Sequence, residues 1–444
     1  MQYHEYRQCD CEWINEIPAH WGTVSIKRTV NSPASSFIDG DWIESDVITS
    51  DGIRYLTTGN VGAIDYKEQG SGFISEETFR ELNCTEVFPG DILISRLNEP
   101  IGRACIVPDL GYRIVVAVDN VIYRPNNELY DNKFLVYQMN CLPYAENANF
   151  IARGSTMPRI SRTMLGSIKI CVPPLIEQKK IASYLDKKCD KINSAIDTQK
   201  KKIELLNELK QTIITNAVTR GLNPDAPMKD SGAEWIGKIP KHWKLKRLKY
   251  ISTIKGRIGF RGYTVADLVP EGEGAFVIGG KHINQCVLNT DSPDYISWDK
   301  YYESPEIMVA FGDIVMAQRG SLGKVAIIDK EIQEATINPS LVLLKEIKCN
   351  NKYLYNYLVS RATNTLIELL NTATAVPMIS QNQIENMPIP LAPPSEQLDI
   401  VKYIDEQSSI IDAKISKTNR RIELLNELKQ SIIVEAVTGK IKVC

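Results

Sequence analysis

Of the side chains that do chemistry, the cysteines offer the least pattern. Ten are scattered along the chain, and only Cys9 and Cys11 stand close together, in CDC with His4 upstream. A CxC without a second pair lacks zinc-site spacing, so reduced free thiols are expected and no metal. His20 and His242 occupy matching settings, IPAHW and IPKHW. Flanked by Pro and Trp, they read as packed structural histidines rather than acid–base groups. EGEGAFVIGGKH (residues 271–282) has the outline of a phosphate loop. Ala275, however, stands where the first Gly belongs, and His282 where Ser or Thr would hold magnesium. HExxH, GxSxG, paired CxxC and the Asn/Asp-Pro-Pro-aromatic motif of amino-methyltransferases are missing from the sequence. No catalytic residue is expected.

The basic side chains carry more information, because they gather in turns beside Gly, Ser, Thr, Asn and Gln: RGST, KGRIGFRG, GGKHINQ, QRGSLGK. Gly lets backbone approach a ligand closely, Arg reads guanine bidentately, Asn and Gln read adenine, and Ser, Thr and Lys hold phosphates. Candidate nucleic-acid contacts in the first half are Arg96, Arg103, Arg153, Ser155, Thr156 and Arg159, with Arg162 beside them. In the second half they are Lys255, Arg257, Arg261, Lys281, His282, Gln318, Arg319, Lys324 and Thr374. Any one of these could simply be solvated; as a set recurring in two places they point to a ligand. The net charge is −2, so binding would have to come from local patches rather than a global field.

These turns are positioned by a sequence written twice. KKIELLNELKQTIITNAVT (residues 201–219) matches RRIELLNELKQSIIVEAVT (residues 420–438). Both copies lack Gly and Pro and are rich in helix formers. Apolar residues recur at three-four spacing, predicting a helix-pairing seam through Ile192, Ile196, Ile203, Leu206 and Ile213 in one copy. Ile411, Ile415, Ile422, Leu425 and Ile432 repeat it in the other. So narrow a stripe needs a partner helix, and the other copy is the nearest. Each helix should run about 40 residues, roughly 60 Å. Pro-Pro pairs precede each, Ser395 is a candidate N-cap, and Gly221 and Gly439 mark the ends.

The repeat extends into the globular parts: EWINEIPAHW (12–21) with EWIGKIPKHW (234–243), GDILI (90–94) with GDIVM (312–316), and GSTMPRIS (154–161) with ATAVPMIS (373–380). Between landmarks the halves diverge. Short β-type runs (53–58, 91–95, 113–119) precede helical stretches at 132–142 and 351–370, an α+β pattern. At 444 residues the chain exceeds a single core. Composition is that of a soluble globular protein, 43% hydrophobic and 24% charged. With no apolar run of membrane-spanning length and no signal-peptide core, a cytoplasmic location is expected.

The order EWIGxIPxHW, GDI-hydrophobic strand, GxxGK turn, STxxPxIS, PPxxEQ and long helix, all twice, resembles the specificity (S) subunits of type I restriction–modification systems. That resemblance implies two mixed α/β target recognition domains in pseudo-two-fold arrangement, separated by two long helices packed as an antiparallel coiled coil. Residues 1–175 would form the first recognition domain, 176–221 the first spacer helix, 222–233 a linker, 234–394 the second domain and 395–444 the second helix. Each domain would read one half of a bipartite double-stranded DNA target. The helices would recruit two methyltransferase (M) subunits and, through them, restriction (R) subunits. No cofactor is expected on this chain, since AdoMet and ATP belong to the partners. The first turn departs from the pattern: RLNEPIGRA (96–104) is one residue longer and lacks Gly-Ser-Leu, so a phosphate-holding role carries over only to 319–324. A different class of function, a non-catalytic coiled-coil adaptor whose globules bind protein, would share the helices but not need basic turns.

Overall fold

The computed structural model describes residues 2–443 other than 71, 98, 155–156, 285, 331 and 372–375. Three expected interface residues, Ser155, Thr156 and Thr374, therefore lie outside the described residues. The chain forms two compact units that cut across the sequence halves: residues 1–199 with 419–444, and residues 200–418. Each long helix lends one part of its length to each unit.

In the first unit, the apolar runs at Ile92–Ser95 and Asn120–Arg124 become the central strands of a four-stranded antiparallel sheet, flanked by Ser36–Asp39 and Ala104–Ile106. Leu93 lies opposite both Ile122 and Cys105. Ile92, Leu93 and Ile94 are all fully buried, which is why the run is continuously apolar instead of alternating. Beside it, Ile53–Leu56 pairs antiparallel with Phe73–Ile74 and parallel with Ile114–Val116. Gly22–Ser25 pairs with Lys169–Val172, just ahead of the long helix.

The second unit repeats this plan. Ile314–Ala317 and Leu341–Lys345 are central, with Val315 opposite Leu343 and Ala326. Gly274–Ile278 runs parallel to Ala335–Ile337 and antiparallel to Tyr295–Ser297. Lys244–Arg247 pairs with Pro388–Leu391. The helical stretch expected over 351–370 is broken into Asn351–Leu358 and Arg361–Leu370. Ser360 accepts from the Thr363 N–H and caps the second piece, a local competition with the helix that periodicity does not register.

The landmarks repeat because they touch one another. Glu177, in the first turn of one long helix, shares a hydrogen bond with His20 Nε2 (2.9 Å) and accepts from the Trp21 indole N–H (3.2 Å). Glu396 does the same with His242 (2.7 Å) and Trp243 (2.9 Å). The adjacent glutamines tie in the next helix: Gln178 Oε1 accepts from Asp131 N, and Gln397 Oε1 from Asn350 N. Both histidines are thus structural, though half-exposed at the rim rather than packed inside.

The long helices span Leu175–Arg220 and Pro394–Val437, 46 and 44 residues, or about 69 and 66 Å at ~1.5 Å per residue. Pro394 opens the second, so Ser395 sits inside the first turn and not at the N-cap. Gly221 and Gly439 close the helices at φ +74° each, the left-handed stop that favours glycine. Across residues 197–212, only Gln199, Ile203, Leu206 and Lys210 are shielded from solvent. Across 412–429 the shielded residues are Ile415, Thr418, Ile422, Leu425 and Lys429. Ile192, Ile196 and Ile411 are buried outright. Ile213 and Ile432 are half-buried like the middle of the stripe, and beside them Ile214 and Ile433 turn fully into the globular cores. Lys210 Nζ reaches Asp412 at 2.8 Å in one unit, and Lys429 Nζ reaches Asn193 at 2.9 Å in the other. Each contact joins the two long helices within one unit.

Candidate nucleic-acid interface

In both units the turn after the GDI strand is closed by the PxIS segment. The Arg96 carbonyl accepts from Ile160 N (3.0 Å), and Arg159 bridges both Leu97 and Arg153. In the second unit the Gln318 carbonyl accepts from Ile379 N (2.9 Å), Gly320 N donates to Pro377 O (2.8 Å), and Arg319 bridges Met378. The backbone frame is the same; the side chains on it are not.

The basic residue of the turn has a job inside the protein. Gly102 and Gly323 take φ values of +79° and +80° and deliver the next residue to an equivalent place. Arg103 Nη2 donates to Thr58 O (2.8 Å) and its Nε to Val61 O (2.7 Å). Lys324 Nζ donates to Gly280 O (2.9 Å). Thr58 and Gly280 begin matching short 3-10 turns, each closed from within. Asn60 Oδ1 accepts from Thr57 N, and His282 Nδ1 accepts from Gly279 N, both at 2.9 Å. His282 is buried and its ring lies 5.0 Å from Phe276; burial holds its pKa below the usual histidine value. The phosphate role expected for 319–324 therefore cannot rest on Lys324, whose ammonium clamps a neighbouring turn.

Other expected contacts are also held within the fold. Arg96 is buried, 3.3 Å from Asp39, and Arg257 is buried with Nε on Ile337 O (3.1 Å) and Nη2 on Thr336 Oγ1 (3.1 Å). Burial is the first cause lowering the pKa of Arg96, Arg103 and Arg257. Gln318 Nε2 donates to Pro339 O (3.1 Å). Lys255 is half-shielded within a strand, and Arg261 lies 3.5 Å from Glu306.

Four expected residues face solvent: Arg153 and Arg159 on the first frame, Lys281 and Arg319 in the second unit. Arg162 is exposed beside the first pair. Their carboxylate partners are weakly held: Arg159 to Asp119 (2.6 Å), Arg162 to Asp39 (3.5 Å), Lys281 to Asp294 (2.7 Å). With side chains this exposed, each pair contributes at most about 1 kcal/mol, so a phosphate can displace the carboxylate.

Beside these cations stand apolar side chains that sequence reasoning missed. Met157 and Val376 are exposed at equivalent points of the two loops, as are Phe150 and Leu369 at the ends of the preceding helices, and Met378 takes the place of Arg159. Polarity patterns cannot flag an apolar residue that stays outside. Exposed apolar groups next to arginines suit thymine methyls and unstacked base steps.

Comparison with known proteins agrees with this arrangement. The family model for the type I restriction modification DNA specificity domain matches residues 37–207 and 296–426, more than half the chain. A putative type I restriction enzyme MjaX specificity subunit of Methanocaldococcus jannaschii is 27% identical over 380 residues, covering 84% of this chain and 83% of that one. The EcoBI specificity subunit of Escherichia coli is 22% identical, over 70% and 66% of the two chains. A chain from a structure of a type I R-M system superposes with a TM-score of 0.67 at 17% identity, covering 96% and 99%; it is similar in fold. Among the described residues, no helix is long and apolar enough to cross a membrane. With its twofold frame, its paired helices and the match to both copies, this chain belongs to the type I restriction–modification specificity subunits, the family that recognises the DNA target.

Proposed function

We propose that each unit reads one part of a bipartite double-stranded DNA target with its paired-turn frame, that the long helices set the gap between the parts, and that the chain carries out no chemistry itself. The observation that carries this reading is the shared frame with unlike side chains: Arg159 in one unit stands where the other has Met378, each bridged to the turn and followed by an isoleucine whose N–H donates to the equivalent turn carbonyl. A common scaffold with divergent tips suits one task performed on two sequences. Helices of about 69 and 66 Å exceed one turn of DNA, ~34 Å, the usual unit of half-site spacing.

The helices are also the place to recruit partners. Leu205 and Leu209 are 65% and 49% exposed, and their counterparts Leu424 and Leu428 are 48% and 49% exposed. They lie off the pairing seam, yet IELLNELKQ is identical in both copies. Two matching apolar stripes support two copies of one protein partner, the methyltransferase subunit, with restriction subunits joining through it. AdoMet and ATP then act on those partners.

Replacing residues 12–170 with the corresponding segment of another family member, in the assembled methyltransferase, tests the division of labour. Genome-wide methylation mapping should show one part of the target changed and the other part and the gap retained. A change in both parts, or in neither, refutes it.

A further inference from the structure

We propose that Cys9, Cys11 and Cys171 form a three-thiolate site for a thiophilic divalent cation of the zinc class. Their sulfurs all lie within 4.8 Å of one another, the one such convergence of metal-ligating side chains among the described residues. Zinc–thiolate bonds of about 2.3 Å place tetrahedral sulfurs roughly 3.8 Å apart, so closure asks for movement of about 1 Å. The geometry is held from outside the thiols. Trp13 Nε1 donates to Lys169 O (2.8 Å), the Asp10 carboxylate meets Lys169 Nζ (2.7 Å) and Thr23 Oγ1 (2.6 Å), and Gln138 bonds both the N–H and the carbonyl of Cys171. The Cys11 N–H already points at Cys9 Sγ, 3.4 Å away, an interaction that favours thiolate.

The second unit shows that the turn does not need thiols. Ser231, Ala233 and Pro390 occupy the equivalent positions, and Ser231 Oγ accepts from the Ala233 N–H (3.2 Å) just as Cys9 Sγ does from Cys11. Three cysteines have converged where the fold closes equally well with none. Cys11 and Cys171 are buried while Cys9 is partly exposed, so the cation has a route in and a water can fill the fourth position. Binding exchanges three S–H protons for three metal–sulfur bonds and releases the protons to solvent. The bound ion would link the N-terminal segment to the strand that leads into the first long helix.

The test uses the full-length chain, reduced and freed of metal, titrated with Zn2+ against a chromophoric chelator and with Cd2+ read by thiolate-to-metal absorption. We expect one ion per chain, Cd2+ charge-transfer absorption, and a rise in Tm with zinc. At free zinc a hundredfold above Kd, the folded-to-unfolded ratio rises about a hundredfold. The double variant Cys9→Ser with Cys11→Ala copies the second unit's own turn and so retains the fold; it should lose all of these signals, and Cys171→Ser should lose them too. Absence of the absorption band in the reduced wild-type chain, or equal binding by the double variant, overturns the proposal. So does a chain that takes up no metal and under mild oxidant merely joins two of these sulfurs in a disulfide.

Discussion

Removing the carboxylate that fastens each long helix to its opening segment should cost unequal amounts in the two units. Glu177 has a side chain only 10% exposed, and Glu396 one that is 40% exposed, although both accept from an indole buried to 1%. In Glu177→Ala the Trp21 N–H is left buried without its acceptor, costing about 1–3 kcal/mol. Loss of negative charge at a helix start adds about 0.3–1 kcal/mol. Together these give roughly 1–4 kcal/mol, or about 10- to 1,000-fold in local opening. In Glu396→Ala water can reach the vacated place, and about 1–2 kcal/mol is expected. A chain of two units need not unfold in one step, so the measurement is native-state hydrogen exchange followed separately over the first turns of each helix. Glu177→Gln keeps an acceptor for Trp21 and should fall well below Glu177→Ala. Equal effects in the two units, or a Gln variant as damaging as Ala, would refute the assignment of the cost to the orphaned indole.

Four further outcomes follow from the same geometry. Arg153→Ala with Arg159→Ala should leave stability within about 1 kcal/mol while making the log–log salt dependence of DNA binding by the assembled complex shallower by about 1.8. Arg103→Ala should instead lower Tm, because its donors hold backbone carbonyls. Leu205→Glu with Leu209→Glu should leave the helix pairing intact and weaken methyltransferase-subunit association at least tenfold by sedimentation, whereas Leu206→Glu, on the seam, should cost fold stability. His282 is kept neutral by burial, so the unfolded state binds its proton more readily; stability of residues 200–418 should fall as pH drops through the ordinary histidine range near 6.5. His282→Gln should remove that component from thermal denaturation measured at pH 7.5 and 5.5.

Some of this was written plainly in the chain. The doubled IELLNELKQ, the three-four stripe and the glycine stops gave the helices, because helix periodicity and capping are local and a narrow stripe leaves little choice of partner. The order of landmarks gave the family for the same reason: each landmark is a short contiguous string. What the stripe did not register is the full burial of Ile214 and Ile433, one residue off it, where the globular cores take over.

The interface was legible only as a neighbourhood. Sequence pointed to turns that the structure brings together, but Arg103, Lys324 and His282 hold the frame from within, while Met157, Val376 and Met378 stand on its surface. Whether a cation in a Gly-rich turn faces solvent or a carbonyl depends on which other turn lies beside it. That is fixed by strand register across more than forty residues, and no local pattern encodes it. Cys171 meeting Cys9 and Cys11 is the same case, since the strand pairing of Lys169–Val172 with Gly22–Ser25 brings them together. What periodic burial and contiguous motifs specify, the sequence determined; which side chains remain available to a ligand was decided by tertiary pairing alone.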